Sequence, residues 1–204
     1  MKSDFKKLIP TYTARRGVFS VVTVPPIQFL MIDGKGDPNT SQSYRDALST
    51  LYPVAYKLKF FSKGELGRDY GVMPLEALWW ADDMDAFTSA RDKSLWDWTL
   101  MNMVPDWITQ EHVEEASAVV ARKGEAPALA ALRLESMEEG LCVQTLHVGP
   151  YDHEGPVLEE MHHTFIPEQS LSMTGRHHEI YLGDPRRTAP EKLRTILRQP
   201  VSRQ

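Results

Sequence analysis

A carboxylate, Glu179, stands in the middle of the stretch HHEIYLGD (residues 177–184), whose isoleucine, tyrosine and leucine are typical of a β-strand. Side chains alternate between the two faces of a strand, so His177, Glu179 and Tyr181 should share one face. A carboxylate beside a phenol can serve as general base and general acid when water is added to a substrate. The alternative is a carboxylate on an exposed edge strand, in contact with water. The spacing of these residues leaves both readings open.

The surroundings of Glu179 decide which ligands it could bind. Burial raises the pKa of a carboxyl group and disfavours its charge unless a cation compensates. A lipophilic cation brings that charge together with apolar area, and each well-placed aromatic ring adds an attraction of about 0.5–2 kcal/mol. Flat rings also stack on aromatic walls without fixed polar contacts, which suits promiscuous binding. A buried Glu179 therefore predicts a site for aromatic or lipophilic cationic small molecules.

The pair Trp79 and Trp80 is the second candidate for a binding site. Adjacent strand residues point to opposite faces, so one indole should lie in the core and the other in a pocket or at the surface. The stretches LEALWWADD and HEIYLGDPR each follow a predicted helix and a glycine. Aligned with each other, they set Glu76 opposite Glu179. This alignment predicts that Trp80 is on the face equivalent to that of Glu179.

Two tyrosines are candidates for the rim of such a site. Tyr151 follows a Gly-Pro turn, and Tyr70 precedes a glycine. The remaining tryptophans, Trp96, Trp98 and Trp107, are predicted to belong to the core.

Other chemistries find little support in the sequence. The histidine pairs at 162–163 and 177–178 are poor chelates because neighbouring side chains diverge, and the spacing typical of a zinc site is absent. Solvated or capping histidines are the expected roles. The stretch DGKGD at 33–37 lacks the pattern of a phosphate-binding loop. Cys142 is expected to be a small buried hydrophobe. No metal and no cofactor is predicted.

Composition limits the cellular role of the protein. The chain has 204 residues, of which 42% are hydrophobic, enough for a sizeable core. Its net charge of −5 argues against broad nucleic-acid binding, which needs a basic surface. A single cysteine and the absence of a long apolar run predict a cytoplasmic protein that does not bind membranes. A homodimer is left open.

Periodicity predicts an α+β fold in which strand, helix, strand, strand occurs twice. Residues 1–17 are polar and basic and predict a poorly ordered N-terminal arm, followed by one domain over 18–204. A hairpin is predicted around the EEG turn at 138–140. The predicted helices lie near 41–61, 109–124 and 153–169, and the predicted strands near 18–35, 72–80, 95–103, 129–137, 141–149, 176–184 and 192–201. Such an internal repeat predicts two pseudo-symmetric halves with a ligand cleft between them.

The second half carries a family resemblance. The stretches EGLCVQTLHVGPYDHE, MHHTFIPEQ and HHEIYLGDPRRTAPEKLRTILRQPV resemble the GyrI-like small-molecule-binding family, in particular its branch without a DNA-binding domain. The resemblance covers roughly residues 18–201. It implies a tandem βαββ fold with a central cleft that takes apolar, aromatic and often cationic compounds.

The resemblance also implies roles for individual residues. The pocket carboxylate of the family corresponds to Glu179, and its pocket aromatics correspond to Tyr181, Trp79, Trp80 and Tyr151. The main expectation is a protein that binds or sequesters drug-like or toxic aromatic cations. The alternative is a hydrolase of cyclopropane-bearing natural products, as in some members of this branch. In that case Glu179 would be the general base, with Tyr181 or Tyr151 bonded to a carbonyl oxygen of the substrate.

Overall fold

The computed structural model describes residues 2–82, 92–124 and 126–203. Its contacts divide the chain into two compact units, neither of which is continuous in sequence. The first unit comprises residues 1–8, 27–73 and 80–137, and the second comprises residues 9–26, 74–79 and 138–204. None of the described helices is long and apolar enough to cross a membrane.

The first unit is built from antiparallel strands and two long helices. Its elements are β1 (Lys2–Ser3), α1 (Phe5–Leu8), β3 (Ile27–Lys35), α2 (Gln42–Gly64), β4 (Asp69–Tyr70), β6 (Asp97–Met103), α3 (Gln110–Ala121) and β7 (Arg133–Met137). Strand β3 pairs with β6 on one side and with β7 on the other. Helix α2 packs on β3, β6 and α3. Buried residues such as Leu51 and Leu58 recur along one side of α2, as a core-facing helix requires.

Both long helices begin at residues that cap their free backbone N–H groups. The Ser41 hydroxyl accepts a hydrogen bond from the Tyr44 amide at 3.3 Å, and the Thr109 hydroxyl accepts one from the His112 amide at 3.4 Å. The ring of His112 in turn accepts from the backbone N–H of Thr109 at 3.1 Å, which completes a capping box. The predicted starts of these helices, near residues 41 and 109, are confirmed.

The second unit contains an antiparallel sheet whose neighbouring strands are, in spatial order, β2 (Ser20–Val24), β8 (Gly140–Val148), β11 (Arg194–Arg203), β10 (His177–Tyr181) and β5 (Leu75–Trp80). Trp80, the last residue of β5, belongs to the first unit. The other elements of the second unit are α4 (Gly155–Glu160), a π-helical turn (Met161–Phe165), α5 (Ile166–Glu168) and β9 (Leu171–Met173). Apolar residues of the helical segment, including Met161 and Ile166, pack on Val143 and Leu197 of the sheet. The buried core of this unit lies at that contact.

Two predictions about local structure are wrong. The segment around the EEG turn is not a hairpin, because β7 pairs with β3 in the first unit and β8 pairs with β2 and β11 in the second. The N-terminal arm is ordered. Its residues 10–12 form a short 3-10 helix whose Thr11 and Tyr12 are buried. The polar composition of the arm gave no indication of the hydrogen bonds that hold it in place.

The order strand, helix, strand, strand does occur twice along the chain. With the short strands β4 and β9 set aside, β3, α2, β5 and β6 form the first series, and β8, the α4–α5 segment, β10 and β11 form the second. Residues 74–79 of β5 nevertheless belong to the second unit, where β5 pairs with β10. The structure is therefore an α+β fold with a large antiparallel sheet, and its compact units differ from the two consecutive halves that the sequence predicts.

The close approach of Trp98 to Gly34 provides a test of packing in the first unit. A Cβ at Gly34 would overlap the six-membered ring of Trp98, which is fully buried. We expect Gly34→Ala to lower the free energy of unfolding by about 1–3 kcal/mol, measured by urea denaturation. Gly64→Ala is the control, because its Cβ meets no atom within 4 Å and alanine favours the helix. Equal stability of the two variants would contradict the packing at Trp98.

Candidate functional site

Strand β10 lies between β5 and β11, and its two faces carry different polar clusters. Glu179 is paired with Ala77 of β5 and with Leu197 of β11. Directly opposed residues of antiparallel strands point to the same face, so the odd-numbered residues of β5 and β10 share one side. Their even-numbered neighbours share the other side.

On the odd-numbered face, Glu179 is the centre of a hydrogen-bonded group of aromatic residues. The Tyr181 hydroxyl donates to Glu179 Oε2 at 2.6 Å, and the Trp79 indole N–H donates to the Tyr181 oxygen at 3.0 Å. The ring of Tyr151 meets that of Tyr181 edge-on, with the centroids 5.4 Å apart. We call Glu179, Tyr181, Trp79 and Tyr151 the Glu179 cluster. Within the second unit, the structure brings together four of the six predicted site residues.

The Glu179 carboxylate is largely shielded from solvent, with 9% of the residue exposed. In the described part of the chain, no lysine or arginine lies within ion-pair distance of it. Its nearest basic group is the imidazole of His177, whose Nε2 lies 3.4 Å from Glu179 Oε1. Burial without a cationic partner keeps this carboxylate available to a ligand or a proton.

The hydrogen bonds of Tyr181 limit what this phenol can do. Its oxygen accepts from Trp79 and its proton is donated to Glu179, so the phenol holds the carboxylate in place. Donation to a substrate oxygen would require Tyr181 to give up its hydrogen bond to Glu179.

The opposite face of β10 carries a buried ionic network. The two ring nitrogens of His178 contact two carboxylates, at 3.0 Å from Glu76 and 2.9 Å from Glu139. Glu139 also accepts from Arg198 at 2.8 Å, and Glu76 accepts from the hydroxyl of Tyr12 at 2.6 Å. Two carboxylates thus face an imidazole and a guanidinium. We call these five residues the His178 network.

The network changes the protonation of its members. Burial alone would raise the pKa of Glu139, but the charges and hydrogen bonds of His178 and Arg198 outweigh it and lower the pKa to about 2. Burial would lower the pKa of His178, but Glu139, together with a hydrogen bond to Glu76, raises it to about 9. Burial and the neighbouring Glu76 raise the pKa of Tyr12 well above its usual range. At neutral pH His178 is an imidazolium between two carboxylates.

The register of β5 corrects the alignment of the two strands. Glu76 pairs with Ile180 and lies on the face of His178, opposite to that of Glu179. The prediction that Glu76 and Glu179 share a face is therefore wrong, because a shift of one position along a strand moves a side chain to the other face. The tryptophan that shares the face of Glu179 is Trp79, while Trp80 follows it on the opposite side of the strand.

The remaining predicted rim residue lies in the first unit. Tyr70 is almost fully buried, and its ring meets that of Trp107 edge-on at 6.1 Å. Burial raises the pKa of its hydroxyl. Tyr70 and Trp80 both belong to the first unit, so they are not members of the Glu179 cluster.

Sequence reasoning missed the His178 network and misjudged two histidines. His177 and His178 are both buried, where solvated or capping roles were expected. A signal was present in the sequence: Glu76 stands inside an otherwise apolar strand, which calls for a partner of opposite charge. The expectation for Cys142 is confirmed, because the residue is buried and burial raises the pKa of its thiol to about 12.

Comparison with known proteins gives a consistent assignment of the family. The model of a GyrI-like small molecule binding domain matches residues 18–202. No curated protein is significantly similar to the chain.

Three solved structures from Listeria innocua resemble this chain over nearly its full length. An uncharacterized conserved protein is 39% identical, with a TM-score of 0.89 over 98% of this chain and 99% of the other. A hydrolase is 38% identical, with a TM-score of 0.84 over 98% and 99% of the two chains. Another hydrolase structure is 37% identical, with a TM-score of 0.86 over 99% and 100%.

The His178 network predicts a specific dependence of stability on pH. A pKa raised from 6.5 to about 9 means that protonated His178 stabilises the folded protein fully below pH 6.5 and loses this effect as the pH rises through 9. The lowered pKa of Glu139 acts in the opposite sense, and its contribution is lost as the pH falls from 4.5 through about 2. Between pH 6.5 and 9, the parent should lose on the order of 2–3 kcal/mol more unfolding free energy than His178→Gln.

Urea denaturation of both proteins across this pH range measures the difference. His163→Gln is the control, because His163 is exposed and should keep the slope of the parent. Parallel pH profiles for the parent and His178→Gln would show that His178 is not charged in the folded protein.

Proposed function

The chain belongs to the GyrI-like small-molecule-binding domain family, and from this premise we propose that it is a hydrolase of small electrophilic molecules with Glu179 as the general base. The observation that carries the proposal is a buried carboxylate fixed by Tyr181 on one oxygen, with no lysine or arginine of the described residues bound to the other. Two of the similar Listeria structures, 38% and 37% identical, are described as hydrolases. At this level of identity over the full chain, a shared type of reaction is a reasonable inference.

The two carboxylate oxygens of Glu179 have different surroundings. Oε2 accepts the short hydrogen bond from Tyr181, which fixes the plane of the carboxylate. Oε1 lies 3.4 Å from the imidazole of His177. A water molecule placed at Oε1 could transfer a proton to Glu179 and attack an electrophilic carbon. This difference supports a role for Oε1 in binding the water and for Oε2 in holding the carboxylate in place.

The aromatic side chains suit a flat, conjugated substrate. Tyr151 and Tyr181 are partly exposed and their rings meet edge-on, and the Trp79 indole donates a hydrogen bond to Tyr181. We infer that the substrate is a cyclopropane conjugated to a carbonyl group. Water would bond to a ring carbon, the strained C–C bond would break, and its electron pair would move to the carbonyl oxygen. That oxygen receives a proton, so the product contains one added water and nothing is oxidised or reduced.

A protein that only binds or sequesters its ligands is the second candidate. The same observation favours it, since a buried carboxylate among aromatic rings attracts lipophilic cations. Turnover distinguishes the two functions. Direct contacts of Trp80 and Tyr70 with a ligand remain predictions, as does a pseudo-symmetric tandem βαββ arrangement.

Replacement of Glu179 tests the hydrolase directly. Glu179→Gln keeps the shape of the side chain and an oxygen that can accept from Tyr181, but it removes the base. We expect turnover of a spirocyclopropyl cyclohexadienone to fall by a factor of about 100 or more. Turnover is measured as the rate at which the hydroxyethyl phenol product forms. Glu160→Gln, at an exposed position of α4, is the matched control and should keep the activity of the parent. Parental turnover by Glu179→Gln would exclude Glu179 as the base.

Ligand charge provides an independent prediction. The parent should bind a flat cationic dye more tightly than an anionic dye of equal size, because the Glu179 carboxylate has no lysine or arginine partner in the part of the chain that the structure describes. Glu179→Gln should weaken the binding of the cationic dye by on the order of 1–3 kcal/mol and leave the binding of a neutral aromatic dye little changed. Fluorescence titration of the three dyes measures both effects. An equal or reversed preference in the parent would mean that Glu179 does not face the ligand as an anion.

A further inference from the structure

The two histidine pairs of the sequence meet in the second unit through one member of each. The rings of His162 and His177 contact each other edge-on, with the centroids 6.0 Å apart. His178 belongs to the buried ionic network, and His163 is exposed beside Glu159. His177 shares the face of Glu179 on β10, and His162 contacts His177.

His177 differs from its neighbour His178 in the hydrogen bonding of its ring nitrogens. Both ring nitrogens of His178 have carboxylate partners, as a structural histidine requires. His177 is only 7% exposed, yet neither of its ring nitrogens has a hydrogen-bond partner among the described residues. Its Nε2 lies 3.4 Å from Glu179 Oε1, outside good hydrogen-bond geometry. A buried polar group without a partner destabilises the fold, and in a native protein it points to a functional role.

The helical segment beside His177 has an unusual conformation. Residues Met161–Phe165 form a π-helical turn between α4 and α5, and such turns occur frequently at functional sites. Met161 of this turn is buried in the core, and His162 follows it toward His177. Burial, together with the neighbouring His177 and His163, lowers the pKa of His162 to about 3. His162 is therefore a neutral ring that can hold His177 in place without adding charge.

We propose that His177 is a second catalytic group of this site, with its Nε2 and Glu179 Oε1 together holding the water that attacks the substrate. The proposal rests on the hydrolase function proposed above and extends it to a residue on the same strand. The two atoms are 3.4 Å apart on one face of β10, a separation that one bridging water can span. Because His177 Nε2 is enclosed, a small movement of the two side chains must admit that water. Its oxygen is then aimed by two partners instead of one.

The step balances without any further reactant. The water oxygen bonds to the strained carbon while the carbon–carbon bond breaks toward the carbonyl. The proton released by the water goes to Glu179. The carbonyl oxygen of the substrate gains a proton from solvent, and Glu179 then returns its proton to solvent, which restores the carboxylate. His162 contacts His177 and not the water, so it is a positioning residue.

The test compares His177→Gln and His177→Ala with the parent on the spirocyclopropyl cyclohexadienone. We expect kcat to fall by about 100-fold in both variants, while KM stays within about threefold of the parental value. Added imidazole should restore a measurable part of the activity of His177→Ala in a saturable manner. A merely structural residue would not give this rescue. His163→Gln, an exposed histidine of the same π-helical turn, is the control and should match the parent.

The outcomes separate this inference from the function on which it rests. If the parent and both His177 variants hydrolyse the dienone equally while Glu179→Gln does not, Glu179 remains the base and the role of His177 is refuted. A loss of kcat that imidazole does not restore, accompanied by weaker dye binding or a lower melting temperature in both variants, likewise overturns the proposal. No turnover by the parent overturns both the hydrolase function and the role of His177.

Discussion

The double hydrogen bond of His178 to two buried carboxylates is the interaction on which the candidate site depends. It links β10 to Glu76 of β5 and to Glu139 at the start of β8, and Glu139 continues to Arg198 of β11. Removing one partner from a buried ion pair leaves an uncompensated charge, which typically costs 3–5 kcal/mol. The network therefore fixes the register of β10. Because side chains alternate along a strand, that register places Glu179 and Tyr181 on the opposite face.

Adjacent residues of one strand thus have contrasting electrostatic surroundings. On one face, charges are balanced in pairs and both ring nitrogens of His178 have carboxylate partners. On the other face, one oxygen of Glu179 accepts a hydrogen bond from a phenol. Its other oxygen lies near the imidazole of His177, whose nitrogens have no hydrogen-bond partner among the described residues. Full pairing stabilises a fold, whereas incomplete pairing leaves groups that can bind water, protons or ligands. General acid–base chemistry is thus suited to the Glu179 face of β10, because the ion pairs on the opposite face hold the strand in place.

Local patterns predicted much of this structure. Strand alternation correctly set His177, Glu179 and Tyr181 on one face, and the predicted helices near 41–61 and 109–124 correctly located the starts of α2 and α3. Features that join distant parts of the chain were missed. The His178 network connects residue 12 with residues 76, 139 and 198, and no periodicity within one segment contains that information. The wrong prediction for the face of Glu76 has the same cause, because strand register is set by hydrogen-bonded pairing and not by similarity between two stretches of sequence.

The central claim is that the Glu179 face of β10 is where a small electrophilic molecule is converted. A crystal structure of Glu179→Gln soaked with the unreacted spirocyclopropyl dienone tests it most directly. The account predicts that the dienone lies against the rings of Tyr151 and Tyr181, with its strained carbon facing residue 179 and one ordered water between that residue and His177. The dienone bound elsewhere, for example beside Phe60 and Phe61 in the groove between α2 and α3, would contradict it.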